Sequence, residues 1–582
     1  MRIIKTIILL VMSLIVLGGI FYVGNYITNL KYSNQKVVNL LKEYKGDENL
    51  LNIVSFFKDL KDVKEKLSFT KSELEKFANL LPQLKEDVAL KESFQDILND
   101  LDCVNQKKFI LEGLNQKEEA LSCLKDLYTK LGNFEKFNIP FVNNYRNDIL
   151  TLLEFLGENQ KKDYLVLIQN PLISRPTGGF VFSYGILTLE KGKISFSGEH
   201  IRELDDIFIS KIIPPEPIQL ISNQWFFHDL NWFFDFNLTA KKIINYYKES
   251  TGKDLDGVIL INEESIRNLL SYTSSVQLTD YDKPINQTNF LTFIEEQIEN
   301  GFRPGPLREK PVVLKEFFDS LFEKLKNLEP EKMGEIIDSF PKMVLEKDIQ
   351  IYFKEEKFNQ YFSKIVKGED LEKDNFIGVT FSFLDKDFRE DSRLKKIILK
   401  TEITKENKFI NHLLINAEAQ NANERKILTY LKIYLPLNVE ILESRGAVKF
   451  DKEDLTTYYQ KLGFIKDNDL LESENTKIVK EEENIEIYKE GDKLVIGGFA
   501  YLSQTPFSLD YVLPIEFEKE NLPQLYKMTI LKQSGEEINF LYKFILPDEI
   551  VLGPTLFSFE KWIPLEKDLN IKVNLLKNEQ SF

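Results

Sequence analysis

At roughly 150 residues per domain, a chain of 582 residues predicts about four units and excludes a single compact core. Its 43% hydrophobic, 12% aromatic and 29% charged residues, with 26 Gly and 20 Pro, exclude collagen-like and disordered chains. The 76 basic and 92 acidic residues leave a net charge of −16, which argues against a nucleic-acid partner, while two cysteines and three histidines exclude a disulfide scaffold, a cysteine-based zinc site and a multi-histidine metal centre.

The chain opens with an uncharged run, Thr6 to Gly24, long enough as a helix to cross a hydrocarbon core of about 30 Å. Arg2 and Lys5 precede it, so the positive-inside rule puts the N-terminus in the cytoplasm and the bulk of the chain outside. A cleaved signal peptide is the competing reading, but no A-x-A-like site follows the apolar run. We therefore expect a transmembrane anchor over 1–30 and a single-pass, extracytoplasmic protein of the cell membrane.

From 31 to 157 the apolar residues recur at helical spacing, as in Leu74, Phe77, Leu81 and Leu84, which predicts a helical stalk. Cys103 and Cys123 both fall in these helical patterns. After Gly157 the period changes. Asp163–Asn170 and the run from Phe180 are short continuous apolar stretches, hence buried strands, with a turn expected over Pro171–Gly179. A hairpin at Lys191–Gly192, an amphipathic helix from Leu238, a buried strand at Asp256–Asn262 and a following helix complete an alternating pattern. Together they predict an α/β sandwich core over 158–345. A helical link is expected over 346–374, and alternating runs from 375 to 582 predict a β-sandwich region. The fold class is thus multidomain α+β.

Three polar segments sit at element ends. In Ser174–Phe180, Arg175 is followed by Thr177, Gly178 and Gly179; two glycines let backbone approach a ligand and a guanidinium fork suits phosphate, whereas a tight turn with a solvated Arg is the plainer reading. In Trp225–Phe236, Asp229, Asn231 and Asp235 offer oxygen ligands of the kind magnesium takes, whereas helix capping by Asp235 or Asn237 and backbone bonding by Asp229 is the structural alternative. His228 reads as a packed or hydrogen-bonded imidazole. Arg303 and Arg308 flank a Pro-Gly-Pro turn before a helix, an arrangement that fits an anion or a surface salt bridge.

These segments resemble domain-of-unknown-function family 4012 of bacterial envelope proteins. The resemblance rests on Tyr164–Asn170, Arg175–Phe180, Asp229–Phe236, Asp256–Ile259, Tyr511–Pro514 and Lys532–Gly535; an Arg is usual in that family where His228 stands here. The order of elements is more distantly similar to the LytR-CpsA-Psr glycopolymer transferases. That likeness implies Arg175, Asp229 and Arg308 as clamp and metal residues; with the three polar segments it gives Arg175, Asp229 and Asp235 as expected catalytic residues and Arg175, Thr177, Gly178, Gly179, Asn231, Arg303 and Arg308 as expected substrate-binding residues. It further implies magnesium on Asp229 and Asp235 and a lipid-linked glycan or cell-wall polymer as partner. Two functions stand: transfer or binding of a polyprenyl-pyrophosphate-linked glycopolymer, and a non-catalytic surface scaffold or glycan-binding module.

Overall fold

The structure, a computed structural model, describes residues 119–132, 140–279, 281–302, 312–366, 375–384, 394–418, 428–450, 455–547, 549–553 and 562–578. Thr6–Gly24, Cys103, Arg303 and Arg308 lie outside the described residues. Among the described residues no helix is long and apolar enough to cross a membrane.

The core is a five-stranded mixed sheet. In chain order its strands are β1 (Lys162–Arg175), β2 (Gly178–Glu190), β3 (Lys193–His200), β4 (Gly257–Asn262) and, after a small ribbon of β5 (Val276–Leu278) and β6 (Tyr281–Ile285), β7 (Ile349–Phe353). Their spatial order is β3-β2-β1-β4-β7. β1 and β4 run parallel, while β2 pairs antiparallel with β1 and β3, and β7 antiparallel with β4. Two differences from the expectations have physical causes. β1 does not stop at Pro171: a bulge between Asn170 and Ser174 absorbs the proline, and pairing resumes through Ser174 and Arg175 against Gly179 and Gly178. The link over 346–374 is not purely helical, because Ile349–Phe353 has the β-branched and aromatic content of a strand and covers the open edge of β4.

Apolar residues cover both faces of this sheet. On one face, Tyr164, Val166, Ile168, Ile259 and Ile261 pack against the helices Pro140–Phe155, Glu263–Thr273, Phe290–Phe302 and Val312–Lys326. Leu165, Leu167, Val258 and Leu260 alternate to the other face, where they meet the helix Phe236–Thr251 and the aromatic segment Trp225–Phe233. Every residue of β4 is buried, as a strand covered on both faces requires.

The C-terminal part is a β-sandwich. In spatial order its six-stranded sheet is Glu440–Arg445, Phe507–Glu516, Lys408–Ala417, Lys395–Ile403, Ile538–Ile545 and Ile563–Pro564. The eight-stranded sheet is Ile478–Lys480, Ile485–Glu490, Lys493–Ala500, Thr429–Pro436, Phe376–Phe383, Gln524–Leu531, Leu569–Lys577 and Ile550–Leu552. The two sheets share one apolar cluster, including Ile433, Ile496, Leu509, Met528 and Phe540. Tyr430 and Phe499, from the eight-stranded sheet, join the cluster on the second face of the core instead, their rings tilted against each other and Tyr430 stacked on Trp232.

Core and sandwich are also tied by buried ions. Lys432 lies 4.5 Å above the Trp232 ring, donates to the Trp232 carbonyl and pairs with Glu490, each at 3.0 Å. Lys242 and Tyr246 of the helix Phe236–Thr251 both reach Asp467, at 2.6 and 2.5 Å. Burial of such groups is tolerated only while each keeps its partner, so separating the two parts would strand charges on both sides. The change of secondary-structure class near residue 375 suggests two independently melting units; these bridges predict one. Hydrogen exchange read by mass spectrometry follows the core through peptides of β1 and β4 and the tail through peptides of Lys408–Ala417 and Phe507–Glu516. Both should follow the same denaturant transition, and two separated midpoints would contradict the shared unit.

Candidate functional site

Parallel strands β1 and β4 end side by side, with Gln169 opposite Asn262. In open α/β sheets this carboxyl edge is the usual place for a ligand. Here Arg175, Thr177, Asp229 and Asn231, singled out in the sequence, gather with Gln169, Asn262 and Gln350, which were not. Gln169 donates to the Thr177 carbonyl at 2.9 Å and to Asn262 Oδ1 at 2.5 Å. Asn231 donates to Gln169 Oε1 at 3.2 Å and to the Gly179 carbonyl at 2.7 Å. Gln350 from β7 gives the Thr177 carbonyl a second donor at 2.7 Å. Arg175, Thr177, Asp229 and Asn231 are each no more than 1% exposed.

The glycines serve this packing. Gly178 has φ +142, which L side chains rarely adopt, and a Cβ there would fall 1.9 Å from Gln169 Nε2; one on Gly179 would fall 1.9 Å from the Asn170 carbonyl oxygen. The close approach they permit is to the protein's own β1.

Arg175 is buried and bonded to protein through its Nε and Nη1. Its Nε donates to Asp229 Oδ1 at 2.7 Å, and its Nη1 donates to the Ser174 and Phe383 carbonyls at 2.9 and 2.6 Å. The expectation of a solvated guanidinium in a tight turn is thereby corrected: the side chain is buried, drawn inward by a carboxylate and two carbonyls. Trp225 Nε1 fixes the Asp229 backbone by donating to its carbonyl at 2.8 Å.

Behind the pair lies a histidine. His228 Nδ1 is 2.6 Å from Asp205 and its Nε2 3.4 Å from Asp229 Oδ2, with the ring stacked on Phe226. Burial opposes protonation of His228, but the two aspartates outweigh it and raise its pKa above the ordinary value. His200, the N-cap of the short helix Ile201–Asp206, shifts oppositely. Burial, with Arg202 and His228 nearby, lowers it to about 4.

Asp235 stands apart from this cluster. It is exposed and accepts from the Asn237 amide at 2.9 Å as the cap of the helix Phe236–Thr251. With Asp229 committed to Arg175 and Asp235 to a helix end, the carboxylates do not fit a magnesium site. Among the described residues no three His, Cys, Asp or Glu side chains group as metal ligands.

What sequence reading missed is the partner from the far end of the chain. The loop after Leu531 lies across the edge of β1 and β4. Gln533 donates to the Arg175 and Phe381 carbonyls at 2.8 and 2.9 Å and accepts from the Phe381 amide at 2.7 Å. Ser534 accepts from Asn262 at 2.9 Å and donates to the Lys347 carbonyl at 2.6 Å. Glu536 bonds Ser174 and pairs with the buried Lys395 at 2.7 Å. Gly535 sits so near Pro171 that a Cβ would come within 2.4 Å of it. The one signal for this contact in the sequence is that Lys532–Gly535 belongs to the same set of motifs as Arg175–Phe180.

The histidines set a pH signature. A raised pKa makes the contribution of His228 full below the ordinary value of about 6.5 and lost as pH rises through its folded value. The lowered pKa of His200 does the reverse, with stability present above about 6.5 and lost as pH falls toward about 4. Melting temperature against pH should therefore fall less on the alkaline side in His228→Asn and less on the acid side in His200→Asn. Unchanged slopes in both variants would contradict these environments.

No curated protein matches this chain. Among solved structures, the transcriptional regulator yvhJ from Bacillus subtilis aligns over 36% of this chain and 78% of its own, with 11% identity and a TM-score of 0.19, too slight a likeness to carry an argument. Residues 159–298 match the family described as "Protein of unknown function (DUF4012)", which supports that family for the segment holding the strands β1 to β6 and the Arg175–Asp229 pair.

Proposed function

We propose that this chain is a membrane-anchored, extracytoplasmic scaffold of the cell envelope, and that its family motifs serve assembly rather than catalysis. The observation that carries this is the burial of Arg175 against Asp229 and two carbonyls, under a loop from the sandwich that occupies the edge where a ligand would sit. A pyrophosphate clamp needs guanidinium N–H groups free to meet phosphate oxygens, and a glycosyl transfer needs a carboxylate or cation beside the leaving group. Arg175 and Asp229 satisfy each other instead. The uncharged run Thr6–Gly24 supports the anchoring, and Arg2 and Lys5 the outward orientation.

A ligand-binding face has its own support. A groove of about 350 Å³ opens between the Glu216 loop and the eight-stranded sheet, lined by Phe450 and Phe499 with Lys477, Glu486 and Asn484. The half-buried Phe450 ring, packed against the buried Phe499 and set beside charged and amide groups, is the kind of lining that holds a short glycan. Titration of the full chain in detergent with a short-chain polyprenyl pyrophosphate, with and without magnesium, distinguishes the functions. The scaffold reading expects no saturable binding under either condition. Saturable binding that Arg175→Ala abolishes while the melting temperature stays unchanged would restore the transferase.

A further inference from the structure

Thirteen large hydrophobic side chains are exposed among the described residues, and five of them lie on two mutually bonded segments: Ile207 at 45%, Ile209 at 72%, Tyr458 at 37%, Leu462 at 43% and Ile465 at 60%. Single exposed hydrophobics are ordinary, whereas a contiguous group marks a surface with a partner. The two segments are built to hold this group outward. The chain leaving the helix Ile201–Asp206 forms a short parallel bridge with the chain leaving the helix Thr456–Leu462: the Ile465 amide donates to the Lys211 carbonyl at 2.8 Å and the Ile213 amide to the Ile465 carbonyl at 2.9 Å. Lys211 Nζ ties the Leu462 carbonyl at 2.9 Å, and Asn223 donates to the Tyr458 hydroxyl at 2.8 Å. Inward neighbours Phe208 and Ile212 are buried, so the strand-like alternation sends Ile207, Ile209 and Lys211 to solvent by design of the sequence.

The chemistry of the group points to one occupant. Isoleucine and leucine tips, a tyrosine with a hydrogen-bonded hydroxyl, and the exposed Lys211 and Lys461 at the margin form the set that settles at a lipid–water boundary, with lysine stems lying along the apolar surface and their ammonium groups at the phosphates. In a chain of net charge −16, Lys211 and Lys461 give this corner cations for anionic headgroups, beside the exposed acids Glu203 and Asp206. The chain supplies the proximity itself, because the uncharged run Thr6–Gly24 would keep the whole fold tethered to a bilayer at high effective concentration. We propose that this corner is an interfacial membrane contact, in which Ile209 and Ile465 enter the boundary between headgroups and acyl chains and set how the fold stands on the membrane. The inference rests on the anchoring proposed above.

Brominated lipid tests both parts. The native tryptophans are poor reporters of a membrane contact, since Trp225 and Trp232 are buried and Trp562 lies on the sandwich. The full chain carrying Ile465→Trp, or Leu525→Trp at an exposed sandwich position as control, is reconstituted in phosphatidylcholine–phosphatidylglycerol vesicles with and without brominated acyl chains. The emission added at position 465 should be blue-shifted and lost in brominated vesicles, while that added at position 525 stays the same in both. Release of the chain by an alkaline wash of the vesicles would overturn the anchoring, and the corner with it. Retention of the chain with unquenched emission at position 465, whether that residue faces water or a second copy, would overturn the corner alone.

Discussion

A guanidinium and a carboxylate, both withdrawn from water, set the terms for the rest of this structure. Arg175 and Asp229 come from segments that meet only when the sheet has formed, and neither charge survives burial without the other. Once paired, they still leave N–H groups to satisfy, and those groups reach the Ser174 carbonyl within the core and the Phe383 carbonyl at the end of a sandwich strand. Satisfying one buried cation therefore recruits the second half of the molecule. The ion pair specifies an arrangement rather than supplying a large net stabilisation.

The same logic recurs at other contacts between the two parts. Lys432 is buried against Trp232 and Glu490, burial lowering its pKa while Glu490 opposes the shift. Lys395 meets Glu536, which in turn bonds Ser174 of β1. At the carboxyl edge of β1 and β4, Gln533 and Ser534 take the hydrogen-bonding positions that a cofactor or substrate takes in many α/β proteins. Residue types that suit phosphate recognition, namely Arg, Asn, Gln and paired glycines, equally suit a tightly packed joint, since both tasks require donors aimed at oxygens and backbone at close approach.

Much of the scaffold was legible in the sequence because it follows local periodicity. The buried runs at Asp163–Asn170 and Asp256–Asn262, the Lys191–Gly192 hairpin and the start of the helix Phe236–Thr251 each depend on neighbours a few residues away. The environment of Arg175 was not legible, because what buries it lies far along the chain: Asp229 is 54 residues away, Phe383 is 208 and Gln533 is 358. Composition made Arg175 conspicuous without revealing whether its partner is a ligand or the protein. Ile349–Phe353 escaped for a related reason, since a five-residue strand flanked by helices declares itself only through the sheet edge it covers.

The central claim is that Arg175 and Asp229 form a structural pair and not a ligand site. A double-mutant cycle with Arg175→Met and Asp229→Leu, read as the free energy of unfolding in denaturant, tests it most directly. Each single variant strands a buried charge and should cost about 3–5 kcal/mol, whereas the double variant replaces both charges by apolar groups and should cost far less than the sum. Single variants that each change stability by less than about 0.5 kcal/mol, with no coupling between them, would show solvated side chains and contradict the account.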